Sequence, residues 1–190
     1  MLTNQIATFK KVSLHQFIKD FKALNPNALN LTLDEITELY CNIKMPSRAT
    51  SGSVGYDFYL PYDISLNIGE VITIPTGIRC QMVEGYSLDI YPKSGLGFKN
   101  FTTIANTVGI IDADYYDSQN EGHIIVKLIN KGFDVSGDVY QREVSIYGSL
   151  ERRKGQSFVQ GIFHECFAAT NDNENTEMTV RNGGFDSTNK

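Results

Sequence analysis

The chain has 190 residues and a net charge of -5, with a pI near 5.2, a length that suits one domain with a substantial core. The acidic balance argues against a nonspecific nucleic-acid or membrane-surface protein, so a polyanionic ligand has to be met by local groups. Cys41, Cys80 and Cys166 are far apart and lack CxxC spacing, which excludes a disulfide framework or a thiolate zinc site and predicts buried or half-buried thiols in a reducing compartment.

The N-terminal segment MLTNQIATFKK lacks the apolar core of a signal peptide, and no apolar stretch approaches the length of a membrane span, so the expected location is the cytoplasm, away from membranes. His15, His123 and His164 have no ligand-like spacing, which argues against a metal held mainly by histidines. Ser13 with Gln16 and Thr32 with Glu35 are capping-box patterns. Each precedes an apolar series at helical spacing: Leu14, Phe17, Ile18 and Phe21, then Leu33, Ile36, Leu39 and Tyr40. Two short helices are expected, roughly Leu14 to Leu24 and Leu33 to Asn42, packed on the main body as an N-terminal addition, residues 1–44. Pro46 closes this region.

From Ala49 onward short β patterns alternate with turns: GYDFYLP, VITIPTGIRCQM, YSLDIYP, TTIANTVGIID, HIIVKLIN, VSIYGSL and SFVQGIFHECF. Many short strands at this spacing indicate a mainly β sandwich, jelly roll or barrel over residues 45–170. Residues 171–190 are polar and without period, a tail expected to be mobile until a ligand orders it.

Four segments carry chemistry. NTVGIIDADYY, Asn106 to Tyr116, sets Asp112 after β-branched neighbours. That pattern reads as an acid inside a dry strand, or as the end of the strand capping a turn. PKSGLGFK, Pro92 to Lys99, places a cation, a hydroxyl and two glycines after a strand, the composition of a turn or of a phosphate-binding loop. RNGGFDST, Arg181 to Thr188, repeats that recipe with an aromatic, and GYDFY sets Asp57 among aromatics.

In this order the segments resemble the five motifs of the trimeric dUTPase family: SGSVGYDFY, PKSGLG, NTVGIIDADYY, GQSFVQ and RNGGFDST, spread over roughly three-quarters of the chain from Met45 to Lys190. The resemblance implies a jelly-roll-like or distorted-barrel β fold, a homotrimer with active sites between subunits, and Mg²⁺-assisted hydrolysis of dUTP to dUMP and pyrophosphate. On it, Asp112 activates the attacking water, Tyr115 packs on the deoxyribose, and Asn106 with the main chain at Gly109, Ile110 and Ile111 reads uracil. Lys93, Ser94, the amides of Gly95 and Leu96, and Gln160 hold phosphates. Asp57 acts on Mg²⁺ through water. Arg181 reaches the γ-phosphate, Phe185 covers the base, and Ser187 belongs to the same closing tail.

Four positions depart from the family pattern: Lys93 for an arginine, Ser157 for a basic residue, and Asp186 and Asn189 for glycines. Residues 133–150 exceed a plain hairpin, which suggests either a longer hairpin or a protrusion for a protein partner. Two alternatives stand beside the hydrolase: a regulatory nucleotide-binding protein of the same fold, and a dCTP deaminase relative.

Overall fold

The computed structural model describes residues 5–25, 30–132 and 149–171. The chain begins with strand β1 (Ala7–Lys11), then helices α1 (Leu14–Leu24) and α2 (Leu33–Cys41). Strand β1 runs antiparallel to β6 (Ile78–Met82), with Phe9 opposite Cys80. The predicted N-terminal addition is therefore not only helical. The five-residue strand is too short for its alternation to stand out from sequence beside two strong capping signals.

Both helices form where their caps predicted. Thr32 and Glu35 make the full reciprocal capping box. At α1 only half of the box forms: Ser13 Oγ accepts from Gln16 N, while the Gln16 side chain turns to Asp20. Phe17, Phe21 and Ile36 carry the helices into the core, with the rings of Phe17 and Phe21 stacked 5.7 Å apart.

The body is β structure in short sheets. Strands β2 (Ser47–Arg48), β3 (Tyr56–Tyr59), β4 (Ile64–Leu66), β5 (Val71–Pro75), β6 and β7 (Tyr86–Pro92) precede a short helix α3 (Ser94–Asn100). Strands β8 (Thr102–Ile104) and β9 (Gly109–Asp112), a 3-10 turn (Asp114–Asp117), and strands β10 (Ile125–Asn130), β11 (Leu150–Arg152) and β12 (Ser157–Glu165) follow. The largest sheet has five strands in the order β2-β3-β12-β7-β9, and β5-β10-β8, β11-β4 and β1-β6 complete the set. No closed barrel forms among the described residues, so the jelly-roll side of the expectation fits. The core lies under the sheets, filled by Phe58, Leu60, Ile74, Leu88, Ile90, Leu128 and Phe158.

Two expectations change. PKSGLGFK was read as a turn or loop, yet Ser94–Asn100 is helical; Lys93 caps it in extended conformation and Leu96 anchors it in the core, 2 % exposed. Of the cysteines only Cys80 is buried, and burial pushes its thiol up to about 12; Cys41 and Cys166 are exposed because they lie at the end of α2 and just past β12. The segment at 133–148 and the tail from residue 172 lie outside the described residues, with Arg181, Phe185, Asp186 and Ser187 among them.

Candidate active site

Cross-strand pairing assigns side chains to faces of the five-stranded sheet, because residues directly opposite share a face and successive residues alternate. Asp112 stands opposite Ser87, and Ser87 opposite His164. Gln160, four residues from His164, stands opposite Tyr91 on one side and Asp57 on the other. Asp112, Gln160 and Asp57 therefore share one face, and the alternate residues Leu88, Ile90 and Phe58 point into the core.

Sharing a face does not bring these groups together. Asp112 is on β9 at the sheet edge, two strands from β12 and three from β3. At about 4.8 Å per strand and about 3.3 Å per residue, Gln160 lies roughly 10 Å sideways and 13 Å along from Asp112. The face thus holds two half-sites, one at Asp112 and one at Gln160 and Asp57.

The first half-site corrects the reading of Asp112 as an acid in a dry strand. Asp112 is exposed, and so is its same-face neighbour Ile110, at 59 %. The physical reason is the edge position: β9 has a sheet neighbour on one side only, so its outer face meets solvent although its inner residue Ile111 lines the interior. The strand does end at Asp112, as the other reading has it, but the 3-10 turn that begins two residues later is capped by Ala113, without a side-chain cap bond. Asn106 is exposed on the turn before β9. Asn106, Gly109 and Ile111 line a cavity of about 480 Å³ whose other walls are mostly apolar, including Ile90, Ile104 and Val126.

Tyr115 sits in the 3-10 turn and is 6 % exposed. Its hydroxyl donates to the carbonyl of His123 at 2.8 Å and accepts from Asn120 Nδ2 at 2.7 Å. The turn is held in place by Gly122, whose φ of +66° is a left-handed conformation that an L side chain resists. A Cβ at Gly122 would lie 2.7 Å from Tyr116 Cα and 2.8 Å from the Tyr115 carbonyl oxygen.

The second half-site centres on Asp57 in β3, 9 % exposed. Both its oxygens accept from Lys93 Nζ, at 2.9 and 2.8 Å. The expected phosphate cation and the expected metal carboxylate thus neutralise each other, which sequence could not show because they are 36 residues apart. A Cβ at Gly55 would lie 2.7 Å from Gln160 Oε1, so the glycine leaves room for the Gln160 carboxamide beside Asp57. At α3, the Leu96 amide donates to the Lys93 carbonyl at 2.9 Å. That bond corrects the expectation that the Leu96 amide holds phosphate: the helical turn uses it internally. Ser94 and Gly95, at the first helical positions, have amides that the helix itself does not use.

No group of three or more His, Cys, Asp or Glu able to hold a metal occurs among the described residues. A single carboxylate is nonetheless enough for a hydrated Mg²⁺ that takes its other ligands from phosphate and water. Asp57, mostly buried yet already facing one cation in Lys93, fits that use. The spacing of the histidines argues only against a metal, and nothing in it signals that His123, set among turn formers, is fully buried.

A family model described as dUTPase matches residues 41–142. The deoxyuridine 5'-triphosphate nucleotidohydrolase of Lactococcus lactis subsp. lactis is 36% identical over 157 residues, covering 81% of this chain and 95% of that protein. The structure of dUTPase from Streptococcus mutans superposes with a TM-score of 0.56 at 22% identity, covering 85% of this chain and 97% of the other. A dUTPase variant from phage phi11 of S. aureus, described as coordinating a structural Mg(II) ion, superposes with a TM-score of 0.52 at 24% identity, over 67% of this chain and 87% of the other.

Proposed function

The chain belongs to the dUTPase family, and from that premise we propose how its residues carry out the reaction. The protein hydrolyses dUTP to dUMP and pyrophosphate. The observation that best supports the assignment of roles is the division of the polar sheet face into two half-sites. One carries Asp112, with Asn106 and Tyr115 in the turns before and after its strand; the other carries Asp57 and Gln160, with Lys93 paired to Asp57.

Asp112 orients a water and takes its proton as the water oxygen bonds to the α-phosphorus. The bond to the α,β-bridging oxygen breaks, and pyrophosphate leaves. Exposure of Asp112 in the single chain suits this role, since water has to reach the carboxylate before the nucleotide closes over it. The Tyr115 ring lies against deoxyribose and leaves no room for a 2′-hydroxyl. Asn106 and the backbone of Gly109, Ile110 and Ile111 pair with the uracil edge, where a mismatched base would leave buried polar groups unpaired.

Ser94, the Gly95 amide, Lys93 and Gln160 take the phosphates, and from the tail Arg181 takes the γ-phosphate while Phe185, beside Ser187, covers the base. Asp57 would hold hydrated Mg²⁺ through its waters, and the ion would neutralise phosphate charge. Paired with each other, Lys93 and Asp57 are held in place with neither charge uncompensated; phosphate would take over Lys93, and a hydrated cation would take over Asp57.

Separation of the half-sites favours assembly as a homotrimer, in which the Asp112 end of one subunit faces the Gln160 end of another. The regulatory alternative would act through residues 133–150, of which 133–148 lie outside the described residues, or through the N-terminal helices. Pyrophosphate release from dUTP, UTP, dCTP and dTTP tests the reading: strong preference for dUTP is expected, and equal turnover of UTP or dCTP would overturn it.

A further inference from the structure

We infer that helix α1 is a positioning element of the nucleotide site, acting through Asp20 and His123 on Tyr115; the inference rests on the contact proposed above between Tyr115 and the sugar. Helix α1 precedes the segment matched by the family model, which begins at residue 41. Nevertheless one face of it is devoted to the loop that follows the 3-10 turn. Ser13, Gln16, Asp20 and Leu24 recur at spacings of three, four and four residues, which aligns them along a single helix stripe.

At the start of that stripe, Ser13 gives its main-chain N–H and its hydroxyl to the Glu121 carboxylate at 2.7 and 2.6 Å. Two turns on, Asp20 Oδ2 lies 2.6 Å from His123 Nδ1 and also accepts from Gln16 Nε2 at 2.9 Å. The stripe ends at Leu24, which lines the cavity that also carries Asn106.

His123 is fully buried and both ring nitrogens are used. Its Nε2 accepts from the Gly77 amide at 2.7 Å, so the ring is neutral with its proton on Nδ1, donated to Asp20. The imidazole is gripped at both ends, and the main chain on either side of the His123 carbonyl is bonded too, the His123 amide to the Asn120 carbonyl at 3.1 Å and the Ile124 amide to the Ile78 carbonyl at 2.9 Å. The His123 carbonyl accepts the Tyr115 hydroxyl. Three hydrogen bonds, Asp20 to His123, Gly77 to His123 and Tyr115 to His123, together with the bond from Asn120 Nδ2 to the Tyr115 hydroxyl, set where the tyrosine ring stands.

A ring that excludes one hydroxyl group does so only while its distance from the sugar is held closely, since displacements near 1 Å are enough to change rates severely. The prediction is a loss of sugar discrimination. In the full-length protein with Mg²⁺, Asp20→Ala should raise KM for dUTP and lower the dUTP-to-UTP ratio of kcat/KM at least tenfold. Asp20→Asn keeps an acceptor for Nδ1–H and should restore the ratio to within threefold of the parent. Tyr115→Phe keeps the ring but cuts its bonds to both His123 and Asn120, and should lower the ratio at least as far as Asp20→Ala does. A general loss of stability would lower both substrates together and leave the ratio unchanged. Should Asp20→Ala fail to fold, Asp20→Ser, which shortens the side chain away from His123 Nδ1 but stays polar, is read in its place against Tyr115→Phe. A ratio within twofold of the parent in the folded variants overturns the inference, whereas a parent that releases no pyrophosphate from dUTP overturns the proposed reaction instead.

Discussion

Asp112 ends an edge strand whose outer face meets water, and the proposed role needs only its charge and direction. Replacing it with asparagine keeps the shape and removes the base. Asp112→Asn should retain the parent melting temperature and lower dUTP turnover by about 10²-fold or more. Activity within threefold of the parent in a pyrophosphate-release assay would contradict the assignment. Gly122 is a second residue with a single reason to be what it is. At φ +66°, and with main-chain atoms 2.7 and 2.8 Å from where a Cβ would sit, it cannot be substituted without moving the 3-10 turn. Gly122→Ala should cost about 1–2 kcal/mol for the left-handed conformation alone, and more from the overlap with Tyr116. An unchanged urea midpoint would show that the turn has a different shape in solution.

Helix α1 combines burial with polar anchorage. Phe17 is fully buried, between Phe21 and Tyr40, with ring centroids 5.7 Å from each. Truncation to alanine should cost about 3–5 kcal/mol, measurable by chemical denaturation. The polar stripe predicts a pH dependence. Burial raises the Asp20 carboxyl pKa, but hydrogen bonds from His123 and Gln16 outweigh it and hold the group below its ordinary 3.8. Between that lowered folded value and 3.8 the unfolded chain binds more protons than the native one, so stability rises with pH across this window. The contribution is fully present above 3.8 and fades as pH falls through the folded value. The stability gap between the parent and Asp20→Asn should therefore narrow on going from pH 5 to pH 3. A gap that stays constant would mean that Asp20 does not gain from ionisation.

For the whole molecule, the homotrimer proposed from the separation of the half-sites would make assembly part of the activity. Light scattering should return a mass about three times that of the 21.3 kDa chain. A fully active monomer would require both half-sites to work within one subunit, across a sheet face that keeps them apart. Chelation of divalent metal should depress dUTP turnover, and added Mg²⁺ should restore it. Turnover unchanged in excess chelator would remove the role proposed for Asp57.

Local signals in the chain were strong enough to determine much on their own. Capping residues and helical spacing located α1 at Leu14–Leu24 and α2 to within a residue, because a helix start is encoded by atoms three or four positions apart. Alternating β-branched segments located most strands, and the ordered motifs pointed to the family. What depends on distant partners was not legible. The pairing of β1 with β6, the ion pair of Lys93 with Asp57, and the grip of Asp20 on His123 join residues 36 to 103 positions apart, and the edge position of β9 that exposes Asp112 depends on the order of the whole sheet. Sequence carries no local trace of such contacts, since any carboxylate, lysine or histidine is compatible with solvent until the fold chooses its neighbour. Only the tertiary structure decided that α1, read from sequence as a helical addition, is bonded to the loop that holds Tyr115.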